Sequence, residues 1–264
     1  MQQADIHRAA QALLARRLNH QLRGPLAANC RPHSVAEALA IQRHLIELMA
    51  QQGDPLAGWK CALPISMDGM TNVPVVAPIF SGSVVSHSPC PIILDDGHCK
   101  IEPEIAFCFA QDLPCRATAY SEDEVIAALG GAQLALELIL SRYIEPKAVS
   151  YIDHLADCLF NQGLFLGPAI GLEEAFQAAT IDFTLTAPWL DSGVQTFAGQ
   201  HPCGLPQTPL LWLVNFLNQQ GIGIKAGQQV ITSSYAGVIE ARVGHDFTLT
   251  YGSLGEIRLQ FTLD

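Results

Sequence analysis

Apolar residues recur at two different periods along the chain, and the change of period divides it. Ile6, Ala10, Leu13, Leu14 and Leu18 fall at spacings of three and four, which predicts an amphipathic helix with Arg16 and Arg17 off its apolar stripe. Ser34-Val35-Ala36-Glu37 has the form of a capping box, and Ala38, Ile41, Leu45 and Leu48 continue it as a second helix that Gly53-Asp54-Pro55 ends. Beyond that point the pattern shortens. Gly58 to Leu63 reads as a strand, and Val73 to Leu94 as short extended pieces broken by Pro and Gly. Asp95-Asp96-Gly97 is a turn that leads into a strand over Lys100 to Ala110. Ser121-Glu122-Asp123-Glu124 opens a short helix ending at Gly130, followed by apolar runs at Leu134 to Leu140 and Gly163 to Gly167. Ile181, Phe183 and Leu185 alternate with polar residues, and Asp191-Ser192-Gly193 turns that strand into Val194 to Ala198. Pro209 to Leu217 reads as a helix closed by Gly221. Four strands follow, over Gln229 to Ser233, Gly237 to Val243, Phe247 to Thr250 and Glu256 to Leu263. Helices first and many strands afterwards predict an α+β fold, with a helical segment over 1–56 and a strand-rich domain over 57–264.

Composition narrows the class. The 264 residues are 49% hydrophobic and 15% charged, enough apolar material for a core and too much for a disordered chain. The formal charge of −11, with no basic cluster beyond Arg16-Arg17, argues against nucleic-acid binding and against docking on anionic membranes. The 8 cysteines form no C-x-x-C pair and no zinc-like spacing, so they read as free thiols of a reducing cytoplasm. The start of the chain lacks the apolar core of a signal peptide. The longest uncharged stretch, Val73 to Leu94, carries four prolines and does not read as a spanning helix.

The absent motifs exclude chemistry too. Neither a G-x-G-x-x-G after a strand, nor a phosphate-binding G-x-x-x-x-G-K-[ST], nor a G-x-S-x-G elbow occurs. Three acids and a lysine stand out instead. On a strand, Glu102 and Glu104 share one face while Ile101, Ile105, Phe107 and Phe109 share the other. Two such carboxylates, with Cα atoms roughly 6.5–7 Å apart, raise each other's pKa unless a cation lies between them. Pro103 lacks a ladder donor, which predicts an edge or a bulge at this end of the strand. Glu137 lies inside the apolar run Leu134 to Leu140 and needs a partner if buried: a cation such as Arg142, or a metal shared with Glu102 and Glu104. An all-carboxylate set suits Mg²⁺ or Mn²⁺, leaving open positions at which a 2-oxo acid can chelate through its carboxylate and keto oxygens. Lys60, the one charge between Leu56 and Ser66, is either a snorkelling surface lysine or a lysine facing an anionic substrate, its pKa lowered by desolvation. The histidines are scattered; His154, flanked by Asp153 and Asp157, is the one best placed for chemistry.

Several segments, in order, resemble the 2-keto-4-pentenoate hydratase and 4-oxalocrotonate decarboxylase family of the fumarylacetoacetate hydrolase superfamily. They are Gly58-Trp59-Lys60, the strand from Lys100 to Phe107, Ala135 to Ile139 with Ser141-Arg142-Tyr143, Asp153 to Gly167, and Gln228 to Ser234. The resemblance implies a mixed β-roll with the N-terminal helices packed outside, a Mg²⁺ or Mn²⁺ site built from Glu102, Glu104 and Glu137, an active-site lysine at Lys60, and a homo-oligomer. The chain departs from the family's pattern at three places. Ile79 stands where the family carries an acid, Cys158-Leu159-Phe160 where it has Asn-x-Ser, and Ser233 where it has glycine. The expected function is a metal-dependent lyase of hydratase type on a small anionic 2-oxo or 2-hydroxydienoic acid such as 2-keto-4-pentenoate. Ile79 makes decarboxylation of the 4-oxalocrotonate type the alternative, and a non-catalytic keto-acid-binding relative the third possibility.

Overall fold

A computed structural model describes residues 1–67 and 69–264. The two N-terminal helices form as α1 (Gln3–Leu18) and α2 (Val35–Gln51). Their stripes meet: Ala9, Ala10 and Leu13 pack with Ala38, Ile41, Leu45 and Met49 in one buried cluster. Ser34 caps α2, its Oγ accepting from the Glu37 N–H at 3.3 Å. The expected capping box is left half-made, because the Glu37 carboxylate accepts instead from the His33 N–H, at 2.8 Å.

Thirteen strands follow among the described residues: β1 (Leu56–Met67), β2 (Met70–Phe80), β3 (Val84–Val85), β4 (Cys90–Ile92), β5 (Cys99–Phe109), β6 (Leu129–Ile139), β7 (Asn161–Ile170), β8 (Thr180–Thr186), β9 (Val194–Gln200), β10 (Gln229–Ile231), β11 (Ile239–Ala241), β12 (Asp246–Tyr251) and β13 (Glu256–Leu263). Four short helices interrupt them: α3 (Glu122–Ala127), α4 (Tyr151–Ala156), α5 (Leu172–Gln177) and α6 (Thr208–Gln219). The larger sheet runs β2-β1-β10-β5-β6-β7-β3, with β11 also on β5; the smaller runs β4-β13-β12-β8-β9. The larger sheet is mixed, since β1 pairs with β10 and β3 with β7 in parallel while the other pairs are antiparallel. It curls into an open half-barrel, the β-roll expected, with α1 and α2 packed outside. One face of this sheet, with Ile101, Ile105, Phe107 and Leu134, is buried against Phe183, Leu249, Tyr251 and Phe261 of the smaller sheet. The opposite face is the inner lining of the half-barrel. No described helix is long and apolar enough to cross a membrane.

Two expectations about prolines change. Val73 to Phe80 is not broken into pieces but belongs to the 11-residue β2. Pro74 and Pro78 are tolerated there because β2 is the sheet's edge and pairs with β1 alone. Pro103, by contrast, lies in the middle of the sheet, paired across to Leu136 of β6. Its missing donor falls in a gap on the other flank: β10 pairs with 106–108 and β11 with 99–101, so no strand faces residue 103. The connecting chain fills that gap, with the Tyr235 N–H donating to the Pro103 carbonyl at 3.2 Å.

Helix α4 has no counterpart in the sequence reading. Its 6 residues are too few to display a period, yet Ser150 and Asp153 form its capping box. Asp153 is fully buried and accepts from Arg31 Nη2 at 2.8 Å; burial alone would raise its pKa, but Arg31 and Ser150 hold it below the usual value.

Candidate active site

The register of the larger sheet sets which side chains converge. Glu102 of β5 lies directly opposite Glu137 of β6, and Glu104 opposite Ala135. Opposed residues point to the same face, so Glu102, Glu104 and Glu137 project together into the half-barrel. Lys60 reaches that face from β1, two strands away from β5, through its pairing with Ile231, which in turn pairs with Ala106. This approach depends on Gly58. A Cβ there would sit 2.0 Å from the Gln229 carbonyl oxygen, so any side chain at position 58 would force β1 off β10 and shift Lys60 with it.

Geometry and charge then agree. One carboxylate oxygen from each of Glu102, Glu104 and Glu137 lies within 4.8 Å of the other two. Lys60 Nζ is 2.7 Å from Glu137 Oε1 and donates to the Leu159 carbonyl at 3.1 Å. Asn161 Nδ2 donates to the same Glu137 oxygen at 2.8 Å, and the Ser233 N–H donates to Glu104 Oε2 at 2.7 Å. The partner of Glu137 is therefore Lys60 and not Arg142, whose Nη1 faces Asp157 at 3.8 Å. Burial, then the charge of Glu137, pushes the Glu102 carboxyl up to about 7. Glu104 is raised well above its ordinary value too, by its burial and by Glu137 and Glu102. Lys60 departs from expectation: burial lowers its pKa, but Glu137, Glu102 and Glu104 together outweigh this and hold it above its ordinary value. It is a fixed ammonium at neutral pH.

Three carboxylates against one ammonium leave the cluster short of positive charge. Glu137 Oε2 is buried and has no hydrogen-bond partner among the described residues. A hard divalent cation fits these residues, because it meets both deficits with an all-oxygen donor set.

Lys60 and Glu102 border a cleft of ≈ 1070 Å³ whose wall includes Leu159 and Phe160 and whose exposed rim carries Ile144 and Val238. A separate cleft of ≈ 230 Å³ beside Arg16, Arg17 and Arg142 includes none of the acidic cluster. The wall of the larger cleft is an unusual turn. Cys158, Leu159 and Phe160 have φ of 66°, 46° and 66°, three successive left-handed residues without a glycine. This backbone aims the Leu159 carbonyl at Lys60. Ile79 is fully buried on the same inner face as Lys60, packed with Ala106, Ala135, Leu164 and Ile231. His154 lies behind the wall: its Nε2 donates to the Pro146 carbonyl at 2.9 Å and its ring packs on Phe160 with centroids 4.3 Å apart.

Asn161 was not anticipated as part of the site, and Leu159 and Phe160 stood out only as part of the Cys158-Leu159-Phe160 departure from the family's pattern, with nothing to show their contacts. Ser233 was noted only as a lost glycine, and it has kept the glycine's backbone. Its φ of 113° is in a region that glycine alone adopts without strain. Ser233→Gly is expected to stabilise the protein by about 0.5–1 kcal/mol and leave divalent-cation affinity unchanged, since the donated N–H remains. Urea denaturation and calorimetry check this. A less stable variant would mean that the Ser233 Oγ bond to the Cys61 carbonyl outweighs the strain relieved.

No family model matches the chain. Individual proteins do. It is 26% identical over 252 residues to 2-hydroxyhexa-2,4-dienoate hydratase of Comamonas testosteroni, covering 90% of each. It is 23% identical over 248 residues to 2-keto-4-pentenoate hydratase of Paraburkholderia phymatum, covering 92% of each. The fold superposes on 4-oxalocrotonate decarboxylase from Pseudomonas putida G7, complexed with magnesium and adipate, with a TM-score of 0.81, 21% identity and 99% of both chains covered. The chain is a sequence and structural homologue of the 2-keto-4-pentenoate hydratase/4-oxalocrotonate decarboxylase family. The half-barrel with helices packed outside it is the fold that the chain shares with that decarboxylase structure. The positions at which it departs from that family's pattern, Ile79, Phe160 and Ser233, all lie on or beside the inner face that carries the glutamates.

Proposed function

We propose that this protein is a divalent-metal-dependent lyase for a small 2-oxo acid, and that its reaction is decarboxylation. Glu102, Glu104 and Glu137 would hold Mg²⁺ or Mn²⁺, and that ion when bound supplies Lewis acidity to the 2-oxo oxygen. Residues 57–264 would form the catalytic unit. Lys60, fixed as an ammonium by Glu137 and the Leu159 carbonyl, pairs with the substrate's C1 carboxylate and orients the molecule toward the glutamates. The substrate of such a lyase carries a second carboxylate on the methylene next to an enone, a vinylogous β-keto acid, and loss of CO₂ from it needs no activated water.

The observation that favours decarboxylation is Ile79. Adding water to a double bond requires a group that takes a proton from the water and returns one to carbon. The inner face beside Lys60 offers Ile79, Ala106, Ala135, Leu164 and Ile231, all buried and apolar. Hydration is the second reading, supported by the two hydratases that the chain resembles along nearly their whole length. The magnesium of the decarboxylase structure is support for the choice of ion.

The test incubates purified protein and Mg²⁺ with 2-oxohex-3-enedioate and follows released CO₂ and the organic product by NMR. Release of one CO₂ per substrate is the expected result. A 4-hydroxy-2-oxo acid formed without CO₂ establishes hydration instead. Thermal stabilisation by the acid without any turnover leaves only a keto-acid-binding role.

A further inference from the structure

The left-handed turn at 158–160 turns Phe160 into the cleft, and the surroundings of that ring suggest what it does there. Phe160 is not a loose surface side chain. His154 lies against it, tilted by 30°, and His154 is itself held by the Pro146 carbonyl and by the edge-on ring of Tyr143, with centroids 5.5 Å apart. The wall beside Lys60 is therefore a braced aromatic surface, extended by Leu159 and Ile139. Cations are scarce along it. Lys100 is paired with Asp95 at 2.9 Å, and Lys147, also in the cleft's lining, is exposed.

A 2-oxo acid whose C1 carboxylate pairs with Lys60 must lay its far end along this wall. A carboxylate laid against the Phe160 ring loses water there and gains no cation from the ring, whereas the neutral CO₂ formed from it suffers no such loss. The wall thus disfavours the bound dianion more than the transition state in which its charge is leaving. Resting on the decarboxylase reading, we propose that Phe160, braced by His154, is the specificity-determining residue that selects bond cleavage: the departing carboxylate lies against its ring. In the step, the bond between that carboxyl carbon and the chain breaks, and its electron pair moves through the conjugated carbons toward the 2-oxo oxygen. CO₂ leaves, and a proton from water returns to carbon.

The test compares wild type with Phe160→Ser and Phe160→Leu, the second keeping an apolar wall. Calorimetry in Mg²⁺ gives the ratio of dissociation constants for two inert ligands of equal length, 2-oxohexanedioate and 2-oxohexanoate. Phe160→Ser is expected to shift that ratio about 5–10-fold toward the diacid, and Phe160→Leu to leave it within about twofold. In parallel, kcat for CO₂ release should fall about 10-fold in Phe160→Ser without a rise in KM, and persist in Phe160→Leu. A ratio indifferent to Phe160→Ser, or moved equally by both variants, overturns the inference and leaves the decarboxylase reading standing if the wild type releases CO₂. A wild type that releases none overturns that reading, and the inference with it.

Discussion

Glu137→Gln is expected to weaken Mg²⁺ binding on the order of 100-fold or more and to reduce CO₂ release to background. Losing a mere outer-shell partner of a metal costs about 10–100-fold, and Glu137 would be a direct ligand. Calorimetric titration of the variant measures it, and unchanged affinity would remove Glu137 from the site. The effect on folding should be smaller than the loss of a buried ion pair usually implies. Removing one partner of such a pair costs about 3–5 kcal/mol where the remaining charge is stranded. Here Lys60 would not be stranded. Glu102 and Glu104 also act on it, and both would ionise more readily once the charge of Glu137 is gone. A loss of about 1–2 kcal/mol in the metal-free protein is expected, measurable by urea denaturation in EDTA.

The second large effect is the pH dependence of the metal-free protein. Glu102 binds its proton more tightly folded, with a pKa of about 7, than unfolded, where 4.5 is the ordinary value. Between those values the native state holds more protons than the unfolded chain, so stability falls as pH rises. Glu104 is raised by its burial and by the charges of Glu137 and Glu102, so its contribution has the same sign. The contribution from Glu102 is fully present below about pH 4.5 and lost as pH passes 7, on the order of 3 kcal/mol. Denaturation in EDTA at pH 5.5 and 8 should show the decline, once the opposite contribution of His201 is separated. That imidazole is buried and pushed down to about 4, so it favours the folded state as pH rises from 4 to 6.5. Mg²⁺ should abolish the loss above pH 7, because binding requires the ionised carboxylates and stabilises the fold that presents them. A metal-free protein as stable at pH 8 as at pH 5.5, with His201→Asn as the reference, would show that the three carboxylates are not held together in solution.

Much of the site was legible because it rests on strand alternation. Glu102 and Glu104 had to share a face, and Glu137 could not sit unpaired in an apolar run. The expectation that Lys60 has a lowered pKa failed for an instructive cause: desolvation was visible in its apolar neighbours, whereas the three opposing charges come from β5 and β6. Pro103 misled in the same way. A missing donor does suggest an edge, but a central strand tolerates it where two short strands leave a gap on one flank. Helix α4 was not legible because six residues carry no period, and Cys158-Leu159-Phe160 showed only as a departure from the family's pattern because left-handed φ values leave no mark on those residue types.

By itself the sequence determined the alternation of apolar and polar faces, the helix starts at Ser34 and Ser121, the strand-rich second part and the three unusual acids. Each of these depends on neighbours within a few residues, through backbone period and capping hydrogen bonds. Only the tertiary structure decided that Lys60 and not Arg142 meets Glu137, that Phe160 forms a wall braced by His154, and that Ser233 keeps a glycine's conformation to donate to Glu104. Those contacts join residues brought together by strand register and by the curl of the sheet, and the field at each charge sums over all of them.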